Sequence, residues 1–186
     1  MKTFPDPRFT SPRESMTIAR MTETDLREVL RIESLSFPCA WPQNAFTGEL
    51  KDNKLAFYFV GRIGPELIAY GGIWIILEDS HVTTIAVHPD WRERGYGEEL
   101  FVRMLSETIE HDAAWMTLEV RESNIAAQRL YAKYGFAAVS KRPNYYSDNH
   151  ETALVMWAGN LRGSMFRNRF HAQQIALQKK IEGLGA

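Results

Sequence analysis

The sequence predicts a mixed α/β (α+β) fold: a twisted central sheet with helices on its faces. Three observations predict it. Residues 55–87 hold three strand-like runs joined by short turns, the pattern of hairpins. From Gly95 the pattern becomes helix, strand, helix, strand, strand. The helical stretches are apolar on one side only, so they must lie against something. Hairpins followed by strand–helix alternation place a sheet at the centre of the layers.

The elements follow in order. Met16 to Arg20 reads as a short strand. Thr22 or Thr24 caps a helix whose apolar face is Leu26, Val29, Leu30, Ile32 and Phe37, with Asp25 and Glu28 suiting its first turn. The segment Ser36-Phe37-Pro38-Cys39-Ala40-Trp41-Pro42 ends that helix with two prolines. Pro42 to Leu50 reads as a second helix. Strands are expected over 55–62, 66–77 and 81–87, with turns at Ile63-Gly64-Pro65 and Glu78-Asp79-Ser80. Gly95 to Glu110 is a helix carrying Leu100, Phe101, Met104, Leu105 and Ile109 on one side. A strand over 115–121 follows. Asn124 then caps a helix that runs to Tyr134 and stops at Gly135. The last strands are expected over 136–141 and 151–157.

The chain divides into a proline-bearing loose arm over residues 1–15, one domain over 16–158 and a basic helical extension over 159–186. In that extension Phe166, Phe170, Leu177 and Ile181 form one stripe. Packing on its own domain and docking a partner or second copy both remain open for this stripe. At 186 residues, 45% hydrophobic and 24% charged, the chain can build a core without disulfides or structural metal. Its single cysteine, Cys39, suits a reducing compartment. No secretory leader or membrane span is visible, so a cytoplasmic protein is expected. A net charge of -1 makes no case for nucleic acid. The five histidines are scattered without metal-ligand spacing, and no metal is expected.

The apolar strand ending at Val87 leads through His88-Pro89-Asp90-Trp91 into Arg92-Glu93-Arg94-Gly95-Tyr96-Gly97, and then a helix. A strand running through glycines to a helix start makes an anion site. The first helical N–H groups lack partners, the dipole there is positive, and glycine lets a ligand approach. Arg92 and Arg94 add charged donors. A Gly-Lys-Ser/Thr is absent, which excludes a nucleotide-hydrolysing loop, and two glycines do not make a dinucleotide fingerprint.

Downstream, Leu118 and Val120 face one side of a strand while Glu119 and Arg121 face the other. A carboxylate there is a paired core charge or a site residue, and burial would push its pKa up towards that of a general base. Asn124 and Tyr131 are seven residues apart, so they share one side of the next helix. Tyr131 reads as a proton donor or as a core tyrosine with a satisfied hydroxyl. Its competitor Tyr134 lies on another side of the helix. Cys39 lacks a nucleophile signature, and no Gly-x-Ser-x-Gly is present.

Four motifs in succession resemble those of the GNAT acetyltransferase superfamily. They are Ile85-Ala86-Val87-His88-Pro89, Arg92-x-x-Gly95-x-Gly97, Leu118-Glu119-Val120-Arg121-x-x-Asn124 and Leu130-Tyr131-x-x-x-Gly135-Phe136. Within it, Phe37-Pro38…Trp41-Pro42 and Arg142-Pro143-Asn144-Tyr145-Tyr146 are similar to segments of the RimI branch, the ribosomal-protein-alanine N-acetyltransferases. The similarity covers roughly residues 16–157.

The resemblance implies a GNAT fold whose sheet splays between the strands ending near Val87 and Val120, with acetyl-CoA in the gap. It implies that Ile85, Ala86 and Val87 bind the pantetheine arm and thioester. Arg92, Glu93, Arg94, Gly95, Tyr96, Gly97 and Glu98 would surround the pyrophosphate, with Asn124 as a further CoA contact. Glu119 would be the general base and Tyr131 the general acid, also against CoA. Phe37, Trp41, Tyr145 and Tyr146 would line the acceptor slot, taking the N-terminal peptide of a ribosomal protein. Two alternatives stay open: a broader protein or small-molecule amine acetyltransferase, and a non-catalytic CoA-binding adaptor.

Overall fold

A computed structural model describes residues 13–184. Its centre is one seven-stranded sheet in the order β1-β2-β3-β4-β5-β7-β6. The strands are β1 (Thr17–Arg20), β2 (Ala56–Ile63), β3 (Glu66–Ile76), β4 (Asp79–Val87), β5 (Trp115–Arg121), β6 (Ala137–Arg142) and β7 (Ala153–Gly159). Every neighbouring pair is antiparallel except β4 and β5, which run parallel.

The helices are α1 (Leu26–Ser36), α2 (Gln43–Lys51), α3 (Tyr96–Glu110), α4 (Ile125–Lys133) and α5 (Ser164–Leu184). The buried side chains form two clusters, which accounts for a layer on each face of the sheet. Leu100, Phe101, Met104 and Leu105 of α3 pack with Phe59, Ile68, Met116 and Leu118. Val29 and Ile32 of α1 and Phe46 of α2 pack with Tyr58, Val60 and Tyr70. Gly71 and Gly72 let both layers press close to β3. A Cβ on Gly71 would meet Met104 Sδ at 2.7 Å, and one on Gly72 would meet the Tyr58 ring at 2.2 Å.

The elements anticipated from sequence are present, with shifted ends. Thr22 caps a 3-10 turn, Glu23–Asp25, rather than α1 directly; the Asp25 carboxylate returns the bond to the Thr22 N–H at 2.8 Å. The β3–β4 turn falls at Leu77-Glu78, with Leu77 at φ 55, so β4 begins at Asp79, inside the expected turn. Asp79 and Ser80 are held there by pairing with Ile76 and Ile75 on one side and Trp115 and Met116 on the other. Ser80 is buried against Thr108, its hydroxyl 3.0 Å from that of Thr108.

The stripe on α5 lies against its own domain. Phe170 and Leu177 are buried, and Phe166 and Phe170 pack with the α3–α4 core, Phe170 beside Tyr134. Arg169 donates to the Ala132 carbonyl at 2.9 Å, fastening α5 to the end of α4. Of the expected N-terminal arm, residues 1–12 lie outside the described residues. Arg13 is anchored: its guanidinium sits 4.2 Å over the Tyr96 ring, donates to the Arg94 carbonyl at 2.9 Å and pairs with Glu99.

The parallel pair positions the site. β4 and β5 are in register only at Asp79–Trp115, Ser80–Met116 and His81–Thr117. Beyond His81 and Thr117 the two strands part. The edge of β4 from Val82 to Val87 and that of β5 from Leu118 to Arg121 therefore face a gap, and buried backbone groups require partners.

Candidate active site

The gap opens into a cavity of about 830 Å³. Ile85, Ala86 and Val87 line it from β4, and Leu118, Glu119, Val120 and Arg121 from β5. Arg92, Glu93, Gly95, Gly97 and Glu98 line it from the loop and first turn of α3, and Asn124, Ala127, Leu130 and Tyr131 from α4. Phe37, Trp41, Tyr145 and Tyr146 line the same cavity.

The loop before α3 is shaped for backbone donation. Glu93 takes φ 64 and Gly95 φ 85, and a Cβ on Gly95 would meet nothing within 4 Å. The left-handed turn leaves the first amides of α3 free to point at a ligand, where the helix dipole favours an anion. The arginine side chains are occupied otherwise. Arg92 donates to the Val87 carbonyl and to Ser36 Oγ, both at 3.0 Å, and so ties the loop to α1. Arg94 lies 5.2 Å over the Trp91 ring and is not among the cavity-lining residues. Tyr96 is likewise absent from the lining: it is buried, and its hydroxyl donates to the Glu14 carbonyl at 3.0 Å. Glu98 accepts from the Tyr134 hydroxyl at 2.7 Å and pairs with Lys133.

Asn124 is the N-cap of α4, its side chain accepting from the Ala127 N–H at 3.1 Å. Tyr131 stands two turns on. It is buried in the cavity wall, edge-on to Phe101 at 5.0 Å, and burial pushes its hydroxyl pKa well above the ordinary value. Among the described residues no protein group hydrogen-bonds that hydroxyl. Tyr134 differs, because its hydroxyl is committed to Glu98.

Glu119 does not stand alone. One oxygen is 3.0 Å from Arg142 Nη1, and the other is 3.3 Å from His81 Nε2. His81 Nδ1 is 2.9 Å from Thr117 Oγ1 on the neighbouring strand. Burial holds the His81 imidazole below its usual pKa; Glu119 opposes that shift and Arg142 adds to it. The resulting row is a carboxylate, an imidazole inclined to be neutral and a hydroxyl. Such a row can take a proton from a reacting group and move it away.

The far wall is a braced loop. Arg121 reaches from β5 to Asp148 at 2.8 Å and Glu151 at 3.1 Å, with its guanidinium 3.8 Å over the Tyr146 ring. The Ser123 amide and hydroxyl and the Arg121 guanidinium lower the Glu151 pKa to about 2. Burial pushes Tyr146 up to about 12 against the pull of Arg121. Tyr145 packs edge-on against Tyr146 at 5.2 Å, and Arg142 approaches Tyr145. On the opposite side Glu33, buried in α1, accepts the Trp41 N–H at 2.8 Å and the Tyr70 hydroxyl, which fixes the loop after α1. Cys39 of that loop lies 3.4 Å from Ser147. Among the described residues no group of three or more His, Cys, Asp or Glu is placed to hold a metal ion, and no helix is long and apolar enough to cross a membrane.

Residues 26–136 match the family model described as Acetyltransferase (GNAT) family. The chain belongs to this acetyltransferase family. A Bacillus subtilis protein provisionally named a ribosomal protein bS18-alanine N-acetyltransferase is 41% identical over 140 residues, covering 75% of this chain and 93% of that protein. The Escherichia coli (strain K12) ribosomal protein bS18-alanine N-acetyltransferase is 30% identical over 142 residues, covering 75% and 95%. The crystal structure of the ribosomal-protein-S18-alanine N-acetyltransferase from Escherichia coli superposes with a TM-score of 0.72 at 28% identity, covering 78% of this chain and 94% of that one. The seven-stranded mixed sheet with flanking helices is the GNAT fold, and the protein is an acyltransferase of the acetyl-CoA-dependent N-acetyltransferase class.

The sequence pattern pointed to many of the residues that line this cavity but not to His81, Thr117, Arg142 and Glu33, of which His81 and Glu33 line it while Thr117 and Arg142 contact its His81 and Glu119. The first three meet only through the register of β4 with β5 and the return of β6, which no local pattern encodes. Glu33 carried a readable signal: a carboxylate one position beyond Ile32, flanking the apolar face of α1.

Proposed function

We propose that this acetyltransferase moves the acetyl group of acetyl-CoA onto the N-terminal α-amine of a ribosomal protein, with alanine as its first residue. The observation that carries the proposal is the meeting, in one cavity, of an open β4 edge, a left-handed turn at a helix start and the Glu119–His81 pair. The two relatives named for alanine acetylation of bS18, matched over three-quarters of this chain, support the acceptor. The fit of acetyl-CoA rests on chemistry already in place. The amides of Gly95 to Gly97 suit a pyrophosphate, and the backbone edge of Val82–Val87 suits the amides of a pantetheine arm.

An α-amine has a pKa of about 8, so much of it is protonated near neutrality and cannot attack. Glu119 removes that proton, directly or through a water, and His81, 3.3 Å away, passes it on towards solvent. The freed amine attacks the thioester carbonyl: a C–N bond forms and the oxyanion is stabilised by backbone N–H donors on the β4 edge; the C–S bond then breaks as the nitrogen gives up its second proton, which ends on the departing sulfur. Tyr131 donates its O–H to the departing sulfur. Burial keeps that hydroxyl protonated until it is needed. A phenol of raised pKa is a weak acid beside a thiol of about 8.5, so Tyr131 acts first as a hydrogen-bond donor to the developing thiolate. Positioning supplies much of the remaining rate, because both reactants are held in one gap.

The test is mass spectrometry of protein N-termini in cells with and without this chain, paired with turnover of N-terminal peptides by the purified protein. Loss of acetylation from one ribosomal protein beginning with alanine is expected. Unchanged N-termini together with efficient turnover of a small free amine would remove the ribosomal acceptor from the proposal.

A further inference from the structure

The sheet face that carries Glu119 continues past the cavity, and at its β5–β7 end two tryptophans stay partly exposed. On β5, Trp115, Thr117 and Glu119 point the same way. Thr117 pairs with His81 on one side and with Trp157 on the other, and His81 pairs with Trp74. One row across the sheet is therefore indole, imidazole, hydroxyl, indole, directly beside the Glu119 row. The next row holds Trp115. Its ring lies across Gly159, where a Cβ would meet the indole at 2.4 Å, and stands edge-on to Trp157 at 5.4 Å. Two large aromatic side chains thus remain exposed, Trp115 by 37% and Trp157 by 41%. Neighbouring, partly exposed aromatics of this size form a contiguous patch of the kind that marks interaction sites.

We infer that this aromatic face is the acceptor's second binding site, occupied by the segment that follows the acetylated residue. The inference rests on the N-terminal reading above and deepens it. Its warrant is continuity: the platform begins at His81 and Thr117, the residues in contact with or next to Glu119. An extended chain rises about 3.3 Å per residue. With its amine at Glu119, the third residue of an acceptor reaches the Trp157 row about 7 Å away, and the fifth reaches Trp115 about 13 Å away. Side chains on alternate positions of an extended chain face one way, so residues three and five would both meet the platform. The partner is a polypeptide with a free N-terminus and apolar or aromatic side chains at those two positions. A small amine, or a dipeptide, makes no use of this face.

The experiment compares alanine-initiated peptides of two to eight residues, carrying Phe or Ser at positions three and five, on the full chain. In the unaltered protein kcat/KM is expected to rise by about tenfold from the dipeptide to the Phe-bearing hexapeptide, the scale of a good aromatic contact. The Trp115→Ala/Trp157→Ala double variant should lose that rise while turning over the dipeptide normally. Trp115→Phe/Trp157→Phe should keep most of it. A flat length series in the unaltered protein, or an intact Phe preference in the Ala variant, would overturn the inference. So would a change of the double variant from dimer to monomer in sedimentation with the length dependence untouched, since the face would then join two copies. Turnover of free amines with none of any peptide overturns the N-terminal reading itself, and is distinguishable from all of these.

Discussion

His81 Nε2 lies 3.3 Å from a carboxylate oxygen of Glu119, and it is brought there by the last register position that β4 and β5 share. The splay that opens the cavity therefore begins at the residue that contacts Glu119. The Glu119–His81 contact and the gap proposed for acetyl-CoA are two consequences of one topological event, the parting of a parallel pair.

The pair makes a kinetic prediction. Glu119→Gln should lower kcat/KM by roughly 10²-fold or more, the scale of a general acid–base group, with acetyl-CoA affinity unchanged in calorimetry. His81→Gln should lower kcat less than that. Burial holds the folded pKa of His81 below 6.5, so His81 is neutral above that lowered value and charged beneath it. The acid limb of kcat that belongs to His81 should accordingly lie below pH 6.5 and vanish in His81→Gln. Linkage gives the stability sign: as pH falls from 6.5 through the folded pKa, the unfolded chain binds the proton first and the fold loses stability. An acid limb unmoved by His81→Gln would remove the histidine from the relay.

How much of this was legible beforehand depends on the range of the contact. The loop of Arg92 to Gly97, the cap at Asn124 and the outward face of Glu119 are local patterns, and strand and helix periodicity exposes them. The roles of single side chains in the loop were less legible. Arg92 and Arg94 look like phosphate ligands in sequence, yet one is tied to Val87 and Ser36 and the other lies over Trp91. Tyr96 sits in the glycine-bearing stretch but turns inward to hold the chain at Glu14. Tertiary partners decide such orientations, and the partners come from 56 and 82 residues away.

Gly97 separates ligand binding from folding. Its φ is not in the left-handed region, and an added Cβ would stand 3.4 Å from Val87 Cγ2, an ordinary contact. Gly97→Ala should therefore leave stability unchanged or raise it by up to about 1 kcal/mol, the difference in helix propensity. The same methyl projects where an anion would approach the first turn of α3, so KM for acetyl-CoA should rise by about tenfold or more while the melting temperature holds. An unchanged KM would place the pyrophosphate elsewhere. Gly95→Ala should instead cost about 1–2 kcal/mol, because its φ of 85 strains any L side chain.

Tyr131→Phe tests the donor to sulfur. Its hydroxyl has no protein partner among the described residues, so removing it leaves no orphaned group and should change stability little. The kcat should nevertheless fall by roughly 10²-fold. An acyl donor with a more acidic thiol should recover part of the loss, since its sulfur needs less help in leaving. Equal losses with both donors would return Tyr131 to a packing role.

The α5 stripe makes a prediction about folding. Phe170 is buried against Tyr134 and stacks with Phe166, at the end of α4 that bears Gly135. Phe170→Ala should cost about 3 kcal/mol in chemical denaturation, as for other buried phenylalanines. A loss near zero would show that α5 contributes little to the domain, and would revive the reading of the extension as a docking arm.

Glu33 offers the sharpest pH signature. It is buried beneath the loop that carries Phe37 and Trp41, and burial raises its pKa despite the Trp41 N–H that accompanies it. Below the unfolded carboxylate value of 4.5 the folded and unfolded chains both hold the proton, and Glu33 carries no ionisation penalty. As pH rises through 4.5 the unfolded chain releases its proton first, so stability is lost progressively up to the raised folded pKa and stays lost above it. Glu33→Gln removes the titration while its amide oxygen still accepts from Trp41. Its amide nitrogen donates to the Tyr70 oxygen, whose own hydrogen turns to Thr84, 3.4 Å away. The stability advantage of the variant over the native chain should grow from pH 4 to pH 7, as read from melting temperatures. An advantage that is flat or shrinks with pH would mean that burial does not raise the Glu33 pKa. If the loop carrying Phe37 and Trp41 survives intact, KM for an N-terminal peptide should change little across the same series.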